Sequence, residues 1–498
     1  MRKRSSLDEL LSAGLEATLR EDNPWWRGER MGTLPPLRRW AFEPVMQGLK
    51  SGLAPVTVVR GPRQVGKTTL MNQVIQALLD EGVAPQRILR LQFDDLPLVK
   101  ELIEPILELP RWYAQAVLGK SLNRAASEGQ KAFIFLDEVQ NLPDWSPQLK
   151  HLVDINPVRA LMTGSSSLRI EAGRDSLAGR VSTLEMGPLF LREIAELRGL
   201  GSCRPLLPAN GLAPLKQKGL WQELRALGEN LRAMRCAAFQ AFSDRGAYPL
   251  AHAGPDHPWE QVADFLIETV IRRAIQHDLR VSPRGRRRDE HLLEEVFRIA
   301  CRYAGQSPTL DLCRREIQRA LSAGIGPRQA RTYLKLLDDT LLIRLIEPLE
   351  LRLKRRRGAA KICLCDHALR AAWLQEVVPL TPEGLRNSPH LADVAGHLAE
   401  STVGYFFSSL LNLDVAHFPE RGGEPEVDFV VTVGEQRIPI EIKYRRRIDH
   451  EDSVGLRSFM ERPHYNAPFA ILVTLTDDTG SDDPRIISLP LSSLLLMR

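Results

Sequence analysis

Short apolar runs alternate with helical stretches between about residues 55 and 195 of this chain. Four of the runs read APVTVVRG, RILRLQFDD, AFIFLDEV and RALMTGSSS, and they are rich in β-branched residues. Apolar runs of roughly four to eight residues between polar segments are typical of buried strands. Because these runs alternate with helical stretches, we predict a parallel sheet covered by helices.

The pattern changes further along the chain. A passage rich in Pro and Gly, residues 202–216, predicts a linker. Helical periodicity dominates from 217 to about 340, a strand-rich segment follows at about 341–366, and the remaining residues return to a mixed pattern. The residues before 50 also show a helical pattern. We therefore predict a multidomain α/β protein, which the length of 498 residues also favours.

The first predicted strand leads into a glycine-bearing loop and a helix, in VTVVRGPRQVGKTTLMNQVIQALL. The loop matches the pattern G-x-x-x-x-G-K-T, whose backbone N–H groups surround phosphate oxygens at the positive end of the helix. Lys67 is predicted to reach the β- and γ-phosphates of ATP, and the Thr68 hydroxyl to bind Mg²⁺. The predicted nucleotide-binding residues are Gly61, Pro62, Arg63, Gln64, Val65, Gly66, Lys67, Thr68 and Thr69.

A second motif, KAFIFLDEVQNL, ends a predicted strand with Asp137 and Glu138. Ligands of open α/β sheets bind at the carboxyl ends of the strands. Asp137 is predicted to hold Mg²⁺ and Glu138 to polarise the attacking water; an acidic pair that caps a helix is the alternative. A further strand (88–93) separates the two motifs, and with the adjacent Glu this order favours a hydrolysing ATPase over a nucleotide kinase.

Two later positions are candidates for sensing the phosphates. The strand in RALMTGSSSLRI ends in small hydroxyl residues, and Ser165 or Thr163 would contact the γ-phosphate unless they only cap a turn. Arg180 follows in DSLAGRVSTLEMGPLFLREI. An arginine supplied by a neighbouring subunit stabilises the charge that develops on the phosphoryl group in oligomeric ATPases. A surface cation is the alternative for Arg180.

These motifs resemble a known group of proteins. GPRQVGKTT, FIFLDEVQNLPDW, LMTGSSS and LAGRVSTLEMGPLFLREI are similar to prokaryotic AAA+ ATPases with a C-terminal domain of unassigned function. SDRGAYP resembles the Gly-Gly-Phe-Pro signature of that group, with Ala247 and Tyr248 departing from it, and ETVIRRAIQHDL resembles the helix that follows. The resemblance implies an AAA+ core, a homo-oligomer (a hexamer or partial ring) that uses an arginine finger, and a restriction-nuclease-like C-terminus.

A helix-turn-helix pattern lies in residues 308–345, where two helical stretches flank the turn SAGIG. The early residues of the second helix would contact DNA, and they include Arg328, Gln329, Arg331 and Thr332. A basic turn that follows would form a wing with Lys354, Arg355, Arg356 and Arg357. The alternative is a winged-helix module that only packs or binds protein, since a run of charges is often a solvated surface.

The segment EPEVDFVVTVGEQRIPIEIKYRRR (424–447) predicts a hairpin with a polar outer face. A two-residue turn with Gly434 in its first central position fixes the register. Counting back from that turn, Asp428 lies opposite Glu441, with Lys443 on the same face. Periodicity alone thus brings two carboxylates and an ammonium together.

That group of side chains suits phosphodiester hydrolysis. Asp428 and Glu441 would hold Mg²⁺, and Lys443 would orient or deprotonate the attacking water. With Glu400 on a preceding helix, the order resembles the PD-(D/E)XK nucleases, although Val427 replaces the Pro of the signature. Alternatives are a nuclease fold that binds DNA without cleaving it and a cross-strand salt bridge. Exposed arginines for DNA would follow at Arg445, Arg446 and Arg447.

Composition adds little to these motifs. A net charge of +5 and a pI near 8.9 give a mild bias toward polyanions. No apolar run approaches the roughly 20 residues of a membrane span, and no signal peptide is evident. The six cysteines follow no metal-ligand spacing, which predicts reduced thiols and a cytoplasmic protein.

Together these patterns predict an ATP-hydrolysing AAA+ protein that binds and remodels or translocates DNA, with a C-terminal nuclease-like domain suited to metal-dependent DNA cleavage. The alternatives are a DNA motor without nuclease activity and a signalling or protein-remodelling ATPase. The predicted domains are an N-terminal helical segment (1–50), an AAA+ core (51–200), a linker and helical lid (201–290), a winged-helix-like domain (291–375) and a nuclease-like domain (376–498).

Overall fold

The computed structural model describes most of the chain, and it divides that chain into two compact units. The first unit comprises Met1–Gly61 and Gly66–Met186, and the second comprises Pro62–Val65 and Gly187–Arg498. The predicted site residues Ser165 and Lys354 to Arg357 lie outside the described residues. The residues described are 11–93, 99, 102–164, 177–207, 211–254, 256–278, 288–321, 326–350, 358–420 and 422–498.

The first unit is an α/β unit in which helices and strands alternate. The predicted helical segment before residue 50 contains two helices separated by a 3₁₀ turn (Pro24–Arg27) and a stretch without helix. The elements of this unit are α1 (Ala13–Asp22), α2 (Phe42–Ser51), β1 (Val56–Arg60), α3 (Lys67–Asp80), β2 (Ile88–Gln92), α4 (Pro105–Ala116), α5 (Leu122–Ser127), β3 (Phe133–Asp137), α6 (Trp145–Ile155), β4 (Arg159–Gly164) and β5 (Val181–Glu185).

The five strands form one parallel sheet in the order β2-β3-β4-β1-β5. The four strands predicted from apolar runs are confirmed, and each is almost wholly buried because helices cover the sheet. Sequence analysis did not identify β5, which has one neighbour and exposes Ser182 at the sheet edge. The strand β4 lies between β1 and β3, so the two strands that carry the nucleotide motifs are not neighbours.

The second unit begins with helices and ends with a mixed sheet. Two π-helical segments, Ile267–Arg272 and Ala274–Asp278, interrupt the helices. The elements of this unit are α7 (Leu191–Leu197), α8 (Lys218–Asn230), α9 (Arg232–Arg245), α10 (Pro249–Ala253), α11 (Trp259–Leu266), α12 (Glu290–Arg302), α13 (Leu310–Leu321), α14 (Pro327–Asp339), β6 (Ile343–Ile346), β7 (Lys361–Leu364), α15 (His367–Leu374), α16 (Pro382–Asn387), α17 (Ala392–Ser408), β8 (Asp414–Phe418), β9 (Val427–Val433), β10 (Gln436–Lys443), α18 (Val454–Met460), β11 (Ala470–Thr474), β12 (Ile486–Pro490) and α19 (Leu491–Leu494).

A five-stranded sheet at the carboxyl end has the order β12-β11-β10-β9-β8. The strands β8, β9 and β10 are antiparallel, whereas β10, β11 and β12 are parallel. The predicted hairpin is present, with Gly434 at φ 63° in the turn and Ile440 paired with Phe429. The predicted polar face is not open to solvent: the first five residues of β9 are all buried, because the hairpin lies inside a sheet that helices cover.

Helices and a pair of strands occupy the part of this unit where the helix-turn-helix was predicted, while most of the predicted turn (322–325) and the basic wing lie outside the described residues. The helices α12, α13 and α14 pack against one another, and β6 and β7 form an antiparallel pair after them. The chain that leaves β6 runs beside β8, where Pro348 bridges His417 and the Leu349 N–H donates to the His417 carbonyl at 2.8 Å. Residues on the two sides of the predicted domain boundary at 375/376 are therefore in contact, and the boundary itself stays a prediction.

A turn at Gly246 joins three helices of this unit. Gly246 ends α9 at φ 73°, and a Cβ there would lie 2.3 Å from Asp366 Oδ1. Asp366 is buried, accepts from the Ala247 N–H at 2.6 Å, and caps α15 by accepting from the Ala368 N–H at 2.9 Å. The segment that resembles the Gly-Gly-Phe-Pro signature is therefore a packing turn that requires glycine.

Candidate functional site

The loop between β1 and α3 has the geometry of a phosphate-binding loop. Gln64 and Gly66 both adopt left-handed backbone conformations, at φ 64° and 92°. Such a succession turns backbone N–H groups toward a common centre. The helix α3 then begins at Lys67, which places the positive end of its dipole at the loop.

The predicted side chains of the nucleotide site converge behind this loop. Lys67 is buried, and its Nζ donates to the Gly61 carbonyl at 3.1 Å. The Thr68 Oγ1 donates to Asp137 Oδ2 at 2.9 Å, and the Thr163 hydroxyl donates to Asp137 Oδ1. Asp137 is 1% exposed, so its carboxylate is held in one place by two hydroxyl groups.

These residues fit a nucleotide with Mg²⁺. A hydroxyl and a carboxylate, Thr68 and Asp137, lie in contact and offer only oxygen atoms, which Mg²⁺ prefers. The Lys67 ammonium is held by a carbonyl of the same loop, from which it can turn to a phosphate. Of the two sensor candidates, Thr163 contacts Asp137, while Ser165 lies outside the described residues.

Glu138 lies immediately after β3 in the left-handed region, with φ 53°. Its side chain is partly exposed and accepts a hydrogen bond from the Gln140 amide. A non-glycine residue in this conformation costs about 1–3 kcal/mol and is held there by its surroundings. The left-handed backbone thus turns the chain away from the direction of β3 at Glu138. Glu138 follows the carboxyl end of β3, and the phosphate loop follows the carboxyl end of β1 in the same parallel sheet.

Arg180 lies at the opposite end of the sheet from the phosphate loop. Its carbonyl accepts from the Val56 N–H at 3.1 Å, at the amino end of β1. Since a strand advances about 3.3 Å per residue, the five residues of β1 put the two ends roughly 16 Å apart. The guanidinium is bound to Asp154, with Nη2 3.0 Å from Oδ2. Arg180 is therefore too far from the phosphate loop to act on the nucleotide of its own chain, and its role as a finger supplied by a neighbouring subunit stays a prediction.

The predicted carboxyl-terminal group comes together as the register required. The Asp428 N–H lies 3.4 Å from Glu441 Oε2, and Asp428 Oδ2 accepts from the Ile442 N–H at 2.9 Å. Lys443 Nζ lies 2.7 Å from Glu441 Oε1. Both carboxylates are buried at 8% exposure, so this is an interior charge cluster.

A residue that sequence analysis missed completes this cluster. Lys361, the first residue of β7, places its Nζ 2.8 Å from Glu400 Oε2 and 2.9 Å from Asp428 Oδ1. Its side chain is 3% exposed, and Glu426 Oε1 is 3.9 Å away. Removing one partner of a buried ion pair costs about 3–5 kcal/mol, because the other charge stays buried without compensation.

This cluster does not fit the predicted metal ion at Asp428 and Glu441. The oxygen atoms of Glu400 and Asp428 that would face a cation already contact the Lys361 ammonium, and Glu441 contacts that of Lys443. Within the described part of the chain, no three His, Cys, Asp or Glu side chains are arranged to hold a metal ion. We therefore derive no hydrolytic step through a metal at this site.

The charges of the cluster follow from burial and from these contacts. Burial opposes the charged form of Asp428, but the Lys361 ammonium outweighs it and holds the pKa of Asp428 below its usual value. Burial and the neighbouring Asp428 carboxylate raise the pKa of Glu441. For Lys361, burial is again outweighed, by Asp428 and Glu400, and the pKa of the ammonium is raised. Lys361 and Asp428 thus form a charged pair in the interior.

The predicted DNA contacts are found on the surface where they are described. Arg328 and Arg331 are exposed on α14, with Arg331 3.9 Å from Glu347. The exposed Arg445 pairs with Asp452, and Arg447 is also exposed. Arg446, which was also predicted to contact DNA, lines a cleft of about 610 Å³ in the second unit. Arg232 and Arg386 line the same cleft.

Sequence reasoning missed two cations at these sites, Lys361 and Arg90. Arg90 lies on β2, and its Nη2 is 3.9 Å from Asp137 Oδ2. Lys361 is the single basic residue of the otherwise apolar strand β7, and Arg90 lies between two leucines of β2; such positions are the signal that indicates an internal partner. The identity of the partner carries no such signal, because Glu400 and Asp428 follow Lys361 by 39 and 67 positions.

Comparisons with known proteins divide the chain into three matched regions. Residues 54–195 match a family described as an AAA domain. Residues 239–378 and 395–494 match two families that are each described as a domain of unknown function. The first unit therefore contains a P-loop ATPase domain. The predicted nuclease-like domain corresponds in part to one of the unassigned families.

Three relatives match parts of this chain at 27–30% identity. Uncharacterized proteins of Mycobacterium bovis and Mycobacterium tuberculosis are each 27% identical over 323 residues, or 64% of this chain and 55% of theirs. The chain thus matches about half the length of these relatives. An uncharacterized protein of Methanocaldococcus jannaschii is 30% identical over 27% of this chain and 26% of its own. A Walker-type ATPase structure from Pyrococcus abyssi covers 69% of this chain and 99% of its own, at 14% identity and a TM-score of 0.38.

Two structural observations bear on the predicted environment of the protein. All six cysteines are free thiols, as predicted. Among the helices that the structure describes, none combines the length and the apolar character that a bilayer crossing requires. The cytoplasmic location stays a prediction.

Proposed function

We propose that this protein hydrolyses ATP and uses the reaction to change how its second unit holds DNA. The observation that carries the ATPase part is the convergence of Lys67, Thr68, Asp137 and Thr163 behind a left-handed phosphate loop. The match of residues 54–195 to an AAA domain supports the same reaction.

In this proposal each residue of the nucleotide site has a separate role. Loop N–H groups and Lys67 bind the phosphates, while Thr68 and Asp137 hold Mg²⁺, which when bound neutralises charge on the phosphates. Glu138 orients the attacking water and accepts its proton. The Gln140 amide holds the Glu138 carboxylate until a nucleotide and water draw it into the site.

The DNA part rests on the surface of the second unit. The cleft lined by Arg232, Arg386 and Arg446 is large enough, at about 610 Å³, to admit a phosphate group, and Glu383 and Asp477 of the same cleft pair with Arg386 and Arg232. Arg445 and Arg447 are exposed next to Arg446 in sequence. Arginine binds phosphate through paired N–H donors, so this surface suits a nucleic-acid backbone better than an apolar ligand.

The contacts of Lys361 favour DNA binding over DNA cleavage. The carboxylates that a nuclease would use for metal are neutralised by ammonium groups instead. Of the activities considered for the C-terminal domain, we therefore propose binding without cleavage. ATP-driven movement of duplex or branched DNA is the activity most compatible with this arrangement.

DNA binding is tested with labelled single-stranded, duplex and branched DNA, by fluorescence anisotropy over a range of NaCl concentrations, with and without ATP. We expect binding that weakens with salt, because phosphate contacts release counterions. The Arg386→Ala/Arg446→Ala variant should bind every form more weakly and reduce the slope of log K against log salt by about 2, one for each phosphate contact.

The matched control is Arg30→Ala, which removes an exposed arginine of the first unit and should leave DNA affinity unchanged. If the wild-type protein binds no form of DNA in a salt-dependent manner while it still hydrolyses ATP, the DNA proposal is wrong. The remaining class would then be an ATPase that remodels or signals to proteins.

A further inference from the structure

Lys361 occupies the centre of the carboxyl-terminal cluster. Its Nζ lies within hydrogen-bond distance of Glu400 on α17 and Asp428 on β9, at 2.8 and 2.9 Å. Glu426 is the next carboxylate, at 3.9 Å. A single cation is thus surrounded by oxygen atoms from a helix and a strand, and it comes from a third element, β7.

The Lys361 ammonium occupies the position that a metal ion bound by both Glu400 and Asp428 would take. A divalent ion between Glu400 and Asp428 would need one oxygen atom from each, at about 2.0–2.6 Å from the ion. Those same two oxygen atoms are the acceptors of the Lys361 hydrogen bonds. The ammonium and a metal ion would therefore compete for these two oxygen atoms and repel each other there.

The surroundings hold Lys361 in place. Its side chain is 3% exposed, and all four residues of β7 are buried. The N–H of Leu364, on the same strand, donates to the Ser401 hydroxyl of α17 at 2.8 Å. Gly404 of α17 lies against the strand so closely that a Cβ there would be 2.4 Å from Cys363 Sγ. The strand β7 and the helix α17 are therefore closely packed, with no space for one to shift along the other.

We propose that Lys361 is the resident cation of this site: it takes the place of a divalent metal between Glu400 and Asp428, and it makes the C-terminal domain a metal-independent, non-cleaving module. The proposal deepens the non-cleaving role proposed above for the C-terminal domain and depends neither on ATP hydrolysis nor on DNA binding. The ammonium also offsets the cost of burying the two carboxylates, since it lies within hydrogen-bond distance of both.

The test measures the thermal stability of the full-length protein, without nucleotide, as MnCl₂ is added. Wild-type Tm should not change with Mn²⁺. Lys361→Met should lower Tm by several degrees, because two carboxylates lose their cation, and Mn²⁺ should restore part of the loss. Adding Asp428→Asn to Lys361→Met should abolish the response to Mn²⁺, because one ligand is removed.

Lys50→Met is the matched control. Lys50 pairs with Glu81 at 2.6 Å, but both side chains are about half exposed, so its loss should change neither Tm nor the response to Mn²⁺. If Lys361→Met loses stability and Mn²⁺ restores none of it, Lys361 is only a member of an ordinary buried ion pair and the proposal is wrong.

The wild-type protein gives a second, independent test in case Lys361→Met does not fold. If Mn²⁺ stabilises the wild type and Asp428→Asn abolishes that effect, the ammonium does not exclude the metal and the proposal is wrong. Wild-type cleavage of DNA in Mg²⁺ or Mn²⁺ that is lost in Asp428→Asn would overturn it as well. Insensitivity to both ions, with no cleavage, supports it. These outcomes do not depend on whether the protein hydrolyses ATP or binds DNA.

Discussion

Glu138 shows how one residue combines strain with a chemical role. Its left-handed conformation comes directly after a strand whose five residues are all buried, and Asp137 beside it is fixed by two hydroxyl groups. The left-handed conformation of Glu138 separates the proposed Mg²⁺ ligand, Asp137, from the proposed base. In the proposed reaction the two acidic residues can therefore be adjacent in sequence and still act on different atoms.

We predict that Glu138→Gln binds ATP with nearly wild-type affinity and hydrolyses it about 10²–10⁴-fold more slowly, since general-base catalysis contributes about that factor. The amide keeps the size and the hydrogen bond of the side chain but cannot accept a proton. Calorimetric titration with ATP and a phosphate-release assay measure the two quantities. Lys67→Ala is the contrasting control and should lose binding itself. Normal turnover in Glu138→Gln would exclude it as the base.

The residue scale also shows where sequence reasoning fails. The choice of Gly61 to Thr69, Asp137 and Glu138 follows from local motifs, and their chemical roles stay predictions. Lys361 was not predictable, because its partners lie on elements that only the tertiary fold brings near. Basic residues alone in apolar strands are worth noting in advance, but the chain carries no local mark of which carboxylate they meet.

At the scale of elements, the Gly246 turn links α9, α10 and α15 through one glycine. The conformation of Gly246, φ 73° with ψ −150°, is one that residues with a Cβ rarely adopt. We predict that Gly246→Ala lowers the free energy of unfolding by about 3 kcal/mol or more, from backbone strain together with the collision with Asp366. Denaturant unfolding followed by circular dichroism measures the change.

The control for this prediction is Gly219→Ala. Gly219 lies on α8 with an ordinary negative φ, and nothing is within 4 Å of an added Cβ. Because alanine favours helix over glycine by up to about 1 kcal/mol, this variant should be as stable as the wild type or slightly more stable. Equal effects of the two substitutions would show that the turn at Gly246 is not a constraint.

Elements were predictable from the sequence where residues close together in the chain determine them. A two-residue turn and a period of two were enough to place Asp428 opposite Glu441 on β9 and β10. The same period could not show that the polar face is buried, because whether a sheet is covered depends on helices elsewhere in the chain. The edge strand β5 was missed for the converse reason: its polar residues hide a strand that one neighbour stabilises.

At the scale of the whole molecule, the assembly of subunits decides what Arg180 does. The sheet puts the Arg180 backbone at the amino end of β1 and the phosphate loop at the carboxyl end. Its guanidinium is oriented by Asp154 at the surface. Within one chain this arginine cannot reach the predicted nucleotide site, so the finger role requires a neighbouring subunit and stays a prediction.

We predict that Arg180→Ala binds ATP normally but hydrolyses it about 10³-fold more slowly or worse, the usual cost of losing an arginine finger. Mixing it with Lys67→Ala, which is inactive alone but carries an intact Arg180, should restore part of the activity, because mixed assemblies contain competent pairs of sites. Asp154→Ala keeps the guanidinium and should stay within a few-fold of wild type. If Arg180→Ala alone hydrolyses ATP at the wild-type rate, the ion pair with Asp154 is structural and the neighbour supplies no arginine from this position.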